Sequence, residues 1–213
     1  MASSQMLFDA IVDGKAQLAQ SIVEEELNAG AEPMALISDT MIPAMDEVGR
    51  LFQEEEFFVP ELMLAGRAMK AAMEPLRPLL AAAGAKPAGI VVAGAVKGDL
   101  HDIGKNIVIS MLEGAGFKVI DLGADVTPQK FVEAIREHNP QIVCLSALLT
   151  VTMTGMKSTI KAIEDAGLRR SVKILVGGAP LNQRYAAEIG ADAYGASATD
   201  AVALARRQVG LSN

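Results

Sequence analysis

"VVAGAVKGDLHDIGKNIV", residues 91–108, changes character twice. It opens as an apolar run, passes into a polar loop, and continues as the start of a helix. His101, one of only two histidines in the chain, sits in that loop between Asp99 and Asp102. A buried strand feeding a helix through a long polar loop is the first unit of an alternating α/β fold. The same grammar continues to the end of the chain.

From Ile90 onward, strands are predicted at Ile90–Ala95, Lys118–Asp121, Ile142–Ser146, Lys173–Val176 and Ala191–Tyr194. The predicted helices cover about Gly104–Glu113, Pro128–His138, Thr154–Ala166, Leu181–Ile189 and Ala198–Val209. Runs such as "IVCLS" and "KILVG" are continuously apolar through their middles rather than alternating, which suits a parallel sheet buried on both faces. Five such strands predict a doubly wound Rossmann-like sheet in the flavodoxin-type order 2-1-3-4-5. Ligands of such sheets bind beyond the carboxyl ends of the strands, where the order reverses, here between strands 1 and 3. The distinctive loops fall at those ends: "KGDLHDIGKN" after strand 1, "SALLTVT" after strand 3 and "GGAP" after strand 4.

The residues before this region read as helical. Leu7, Ile11, Leu18, Ile22 and Leu27 recur at helical spacing up to Gly30, a plausible stop. Pro33 starts a second pattern, Ile37, Met41, Met45 and Val48, with Pro43 predicting a kink or break and Gly49 an end. Glu54 to Phe58 reads as a turn, Pro60 as a helix start, and Pro75 and Pro78 as its end. Four helices in a small bundle are expected. "AAAGAKPAG", residues 81–89, reads as a linker between a helical domain, 1–86, and an α/β domain, 87–213.

Charge follows that division. Residues 1–86 carry 14 Asp and Glu against 6 Lys and Arg, and residues 87–213 carry 12 against 13. An overall formal charge of −7 argues against a nucleic-acid footprint, and the acidic first half suggests a partner with a basic face. No uncharged apolar run reaches about 18 residues, so no membrane span is expected. Met1 to Asp13 lacks the basic-then-apolar pattern of a secretory signal. Cys144 is the only cysteine, so a disulfide framework within the chain is excluded and a cytoplasmic location fits best.

The loop after strand 1 is too long for a phosphate loop, and no Walker pattern is present. "GAGFKV", residues 114–119, mimics a dinucleotide fingerprint but follows a helix and has Val119 where the third glycine belongs. A metal-ligating histidine typically donates its other ring N–H to a carboxylate. One histidine cannot build a closed protein zinc site. Two readings of His101 therefore stand: a single ligand to a metal brought by a cofactor, or a solvated or helix-capping loop histidine.

"DLHDIGKN" resembles the Asp-x-His-x-x-Gly signature of cobalamin-binding domains. "SALLT" resembles the family's Ser-x-Leu element with Thr150 two places on, and "VGGA" its paired glycines. The helical half is similar to the four-helix cap that precedes this domain in methionine synthase and in the corrinoid proteins of methyltransferase systems. The resemblance covers about residues 5–210.

The resemblance implies roles by position. The cofactor would be a corrinoid, cobalamin in its methylcobalamin form, with His101 as the metal ligand below cobalt. Asp99 would hold the other ring nitrogen, and Thr152 would complete an Asp–His relay, making Asp99, His101 and Thr152 the catalytic set. Gly104, with Asp102 and Ile103 beside it, would admit the displaced nucleotide tail; by chemistry alone Asp102, like Lys97 and Lys105, reads as solvated or capping. Ser146, Leu148 and Thr150 would line the slot for the tail. Gly177 and Gly178 would let it pass where a Cβ would intrude, and Tyr194 and Ala196 would help to close the slot. Phe52, Val59 and Leu62 match cap positions over the upper face of the corrin; for Val59 and Leu62 helix-core packing is nearly as good a reading. Cys144 reads as an inert strand residue and His138 as a surface helix end.

The family implies a methyl carrier that is not a complete enzyme by itself. Cobalt(I) would take a methyl group from a donor, and methyl-cobalt(III) would pass it to an acceptor, tetrahydrofolate or a thiol. The cap would shield the methyl group, then swing aside on the linker. Partners would be a substrate-specific methyltransferase, a second methyltransferase and a reductive activator, with no nucleic acid and no membrane. Methylamine, methanol, betaine and aryl methyl ether are the candidate donors, and "GRLFQEEEFFVPELMLAGRAMKAAM", residues 49–73, leans towards methylamine. The competing classes are a cobalamin-dependent photoreceptor and transcription regulator, and the small subunit of an adenosylcobalamin mutase.

Overall fold

A computed structural model describes residues 2–82 and 87–211, so residues 83–86 of the expected linker lie outside the described residues. The chain divides into two compact units, Met1–Lys86 with Glu113–Gly116, and Pro87–Leu112 with Phe117–Asn213.

In the first unit, α1 spans Ala2–Val12 and α2 Ala16–Asn28. The single apolar repeat expected from Leu7 to Leu27 is broken at Gly14. That residue has φ +71°, and a Cβ there would lie 2.5 Å from Leu64 Cβ, so the break also lets the helix that carries Leu64 approach. Leu18, counted with the apolar face, is exposed. The second pattern is one long helix in three parts: α3 (Pro33–Leu36), a π turn (Ile37–Met41) and α4 (Ile42–Gln53). Pro43 neither breaks nor ends it. Proline lacks an N–H and crowds the carbonyl four residues back; the wider π turn just before Pro43 absorbs that misfit. Gly49 is interior, and the helix ends at Glu54 and Glu55, the latter at φ +61°. Helix α5 spans Val59–Met73, with Pro60 in its first turn and Glu61 accepting the Phe58 N–H at 2.9 Å. Pro78 lies inside a further short helix, α6 (Arg77–Ala82). Helix α2 packs along α5 and α1, and Ile11, Ile22, Met41, Met45, Val48 and Met69 are buried.

The second unit is a five-stranded, all-parallel sheet in the order β2-β1-β3-β4-β5. The strands are β1 (Ile90–Ala95), β2 (Lys118–Asp121), β3 (Ile142–Ser146), β4 (Lys173–Gly177) and β5 (Ala193–Gly195). The helices between and after them are α7 (Ile103–Gly114), α8 (Pro128–His138), α9 (Met153–Asp165), α10 (Gln183–Glu188) and α11 (Ala198–Gln208). Val92, Val143, Ile174, Phe131, Met156 and Ile160 share one core, which explains the unbroken apolar runs of the central strands.

Local capping sets the boundaries. Thr127 Oγ1 accepts the Lys130 N–H, Pro128 follows, and Asn139 closes α8 at φ +45°. Ser197 and Asp200 form a reciprocal capping box at the start of α11. Asn182 accepts the Tyr185 N–H at 2.9 Å and starts α10 two residues later than expected. β5 begins at Ala193, two residues later than expected, and just before it the Asp192 carboxylate accepts the Ile174 N–H at 2.7 Å.

Candidate functional site

The topology brings three loops together at the carboxyl edge, and Asp99 is where two of them join. Its carboxylate is fully buried, a costly position unless every lone pair is used. Oδ1 accepts the His101 backbone N–H at 3.0 Å and faces His101 Nδ1 at 3.2 Å. Oδ2 accepts the Leu148 N–H at 2.7 Å and the Thr152 hydroxyl at 2.6 Å. Burial alone would raise this carboxyl group; the bonds from Thr152, Leu148 and His101 outweigh it and hold the pKa at about 2. An ionised Asp99 only accepts, so Nδ1 is the ring nitrogen that donates to it, and in the neutral imidazole Nε2 is then the nitrogen with the lone pair. The imidazole is half exposed, so that lone pair is available to a ligand.

Thr152 is buried at the entrance to α9. Its hydroxyl also lies 2.8 Å from the Leu149 carbonyl, so one proton has two acceptors, the carboxylate and the carbonyl. Leu148 reaches Asp99 with its backbone, while its side chain, like those of Leu149, Val151, Leu100 and Ile103, is exposed. Leu100 is 76% and Val151 75% exposed, in loops held together by the same carboxylate.

The remaining candidates fall as follows. Asp102 starts α7: its carbonyl accepts the Asn106 N–H at 2.8 Å and its carboxylate the Asn106 side-chain amide at 3.2 Å. A Cβ on Gly104 would meet nothing within 4 Å, so no neighbour within the chain requires glycine there. Ser146 ends β3 and pairs with Gly177; its hydroxyl has no hydrogen bond among the described residues, and Thr150 is exposed. Gly178 has an internal reason to be glycine: at φ +136°, its Cβ would lie 1.9 Å from the Ala147 carbonyl oxygen. Tyr194 is half-buried against the core, and Ala196 is exposed beyond β5. In the helical unit Phe52 is half-buried on α4, Val59 is exposed, and Leu62 is buried on α5, the placement of a core side chain. Burial pushes the Cys144 thiol up to about 12, so it is unreactive.

Two groups at this edge were not legible as site residues. Lys105 is not solvated. Its side chain is 4% exposed, and its ammonium is held by Asp121 Oδ1 at 2.7 Å and Asn106 Oδ1 at 2.6 Å. Asp125 accepts the Gly98 N–H at 2.8 Å and pairs with Lys97 at 2.9 Å; those two partners hold its carboxyl group below the ordinary range. The only signal in the sequence was position: both acids fall at or just past the end of β2, beside the loop of β1.

These features fit a planar macrocycle carrying a metal. They offer one free imidazole nitrogen, apolar side chains beside it, and an open edge at Gly104 for an appended chain. Among the described residues no cluster of His, Cys, Asp and Glu could hold a metal ion alone. A sheet of this order, with a histidine held by a buried carboxylate on its first loop, is the arrangement expected of a cobalamin-binding module. Comparison with known proteins agrees: B12 binding domain models match residues 89–203 and 4–77. The chain belongs to the B12-binding corrinoid proteins of methyltransferase systems, with cobalamin as its cofactor. It is 45% identical over 200 residues to trimethylamine corrinoid protein 1 of Methanosarcina acetivorans, covering 93% of each chain. It is 43% identical over 204 residues to the dimethylamine corrinoid protein of Methanosarcina barkeri, covering 95% of each. Among solved structures it is similar to the methanol:cobalamin methyltransferase complex of Methanosarcina barkeri, with TM-score 0.86 and 29% identity over 100% of this chain and 81% of that one.

Proposed function

We propose that this corrinoid protein carries a methyl group from a methylamine, delivered by a substrate-specific methyltransferase, to a second methyltransferase that serves tetrahydrofolate or a thiol. The observation that carries the reading is the Asp99 clamp, which fixes the His101 ring through Nδ1 and leaves Nε2 free. Bound cobalamin supplies a cobalt centre that accepts and releases the methyl group. The protein's part would be to offer one ligand. His101 Nε2 would hold the cobalt, and the ionised Asp99 would raise its basicity by accepting a hydrogen bond from Nδ1–H. Thr152 adjusts that pull: its hydroxyl donates to Asp99 Oδ2 or turns to the Leu149 carbonyl. With that hydroxyl donating to Asp99 Oδ2 the carboxylate would pull less on the Nδ1–H, and with it turned to the Leu149 carbonyl the carboxylate would pull more, so the imidazole would be the weaker or the stronger ligand accordingly. Gly104 leaves the start of α7 open to the nucleotide tail, with Ser146 as a hydroxyl ready to bond to it.

The donor follows the relatives, a trimethylamine and a dimethylamine corrinoid protein, and the first partner follows the methyltransferase complex. A reductive activator, a cap domain at 1–86, a cobalamin domain at 87–213 and a cytoplasmic location complete the proposal. No helix among the described residues is long and apolar enough to cross a membrane. The test is methyl transfer with reconstituted protein and the methyltransferase that co-purifies from native cells. Methylation from a methylamine is expected. Methylation from methanol, betaine or an aryl methyl ether alone would overturn the donor, and none from any of them would overturn the carrier role.

A further inference from the structure

Sequence separates the histidine loop from the turn after β2, but the structure ties them at both ends. Regular pairing of β1 with β2 stops at Ala93 and Asp121. Beyond it lies one isolated bridge, Val96 with Val126. Around that bridge Asp125 grips three successive residues of the loop. Its Oδ2 takes the Lys97 ammonium at 2.9 Å, its Oδ1 the Gly98 N–H at 2.8 Å, and its own N–H donates to the Asp99 carbonyl at 2.9 Å. At the far end Lys105 is tied to Asp121, whose Oδ1 also accepts the Gly123 N–H at 2.9 Å. Between these anchors Leu100, His101, Asp102, Ile103 and Gly104 are all exposed.

We infer that Asp125 is a positioning residue for the cobalt ligand, bracing the backbone of residues 97–99 from behind so that Asp99 and, through it, His101 are held at a fixed height. The inference rests on the reading of His101 as the ligand. The fold alone does not call for this residue. Asp125 sits in the left-handed region at φ +54°, a conformation uncommon outside glycine. Its side chain is spent on the loop rather than on the sheet. A ligand-bearing group must be kept within about 0.5 Å of its working position by the shell behind it, and the exposed stretch 100–104 has no other polar brace from the β2 side among the described residues than Asp125 and the Lys105–Asp121 pair.

Asp125→Gly removes the carboxylate but accepts the same φ, so it isolates the side chain from backbone strain. Asp125→Asn keeps an oxygen for the Gly98 N–H. Two readouts separate the brace from the functional reading. The first needs no cofactor: amide hydrogen exchange of the free protein. Asp125→Gly is expected to speed exchange at Gly98 and Leu148 by about tenfold while core amides such as Val143 stay protected, and Asp125→Asn to restore the slow rates. The second is the spectrum of the cobalamin-loaded protein, in which Asp125→Gly is expected to lower the ligation equilibrium of the imidazole by about tenfold without loss of cofactor, again restored by Asp125→Asn. Unchanged exchange at Gly98 and unchanged ligation in Asp125→Gly would overturn the brace, as would uniform acceleration across the sheet, which would mark a merely structural residue. Wild-type protein without imidazole ligation would overturn the functional reading, with the exchange data still deciding the brace.

Discussion

The Thr152 hydroxyl stands 2.6 Å from the same Asp99 carboxylate whose other oxygen faces His101 Nδ1 at 3.2 Å. Two residues more than fifty positions apart thus share one buried acid, which ties the loop after β3 to His101 in the loop after β1.

Thr152→Val removes the hydroxyl and leaves Asp99 Oδ2 with one partner in a buried setting. Stability should fall by about 1–3 kcal/mol, and the imidazole of loaded protein should hold its ligand position more tightly. Thr152→Ser should restore both. Urea unfolding with and without cofactor, beside the visible spectrum, measures them; a valine variant as stable as wild type would contradict the geometry.

The depressed Asp99 carboxyl group links stability to pH. Its pKa is about 2 in the folded protein against an ordinary 3.8. A lowered folded pKa stabilises above the unfolded value, and the benefit is lost as pH falls through the folded one. The contribution, about 2 kcal/mol at neutral pH, should therefore be complete above about pH 5 and gone below about pH 2. Asp99→Asn places an amide opposite the Leu148 N–H. It should be clearly destabilised near neutrality, with the gap to wild type closing on acidification. A constant gap would refute the linkage.

Much of this fold was legible because local rules and tertiary demands coincide. The middles of β1, β3 and β4 are unbroken apolar runs because both faces are covered, so the strands could be located directly and their order followed from the alternating α/β pattern. The turn glycines and the Asp-x-His spacing marked the site. What could not be read depends on distant atoms. Gly14 breaks a helix that the apolar repeat runs straight through, because Leu64 needs the space. Pro43 is tolerated only because a π turn forms ahead of it. Lys105 looked solvated because its partner Asp121 is brought alongside only by strand pairing.

Two glycines make an opposed pair. Gly178→Ala drives a Cβ into the Ala147 carbonyl at an unfavourable φ and should cost at least about 2 kcal/mol even without cofactor. Gly104→Ala meets open space at the start of α7. It should leave the free protein as stable or better by up to about 1 kcal/mol, while weakening cobalamin binding. Thermal unfolding of the free proteins and cobalamin titration separate the two; a Gly104→Ala protein that binds cobalamin as well as wild type would remove Gly104 from the site.

His101 Nε2 is proposed as the protein ligand of cobalt. Electron paramagnetic resonance of the reduced, cobalt(II)-loaded protein tests it, since a coordinated nitrogen splits the cobalt lines. The splitting is expected in wild type, is expected to change when the protein is made with 15N-histidine, and is expected to vanish in His101→Ala with cofactor still bound. A splitting that ignores the histidine label, or that survives in His101→Ala, would show that another nitrogen holds the metal.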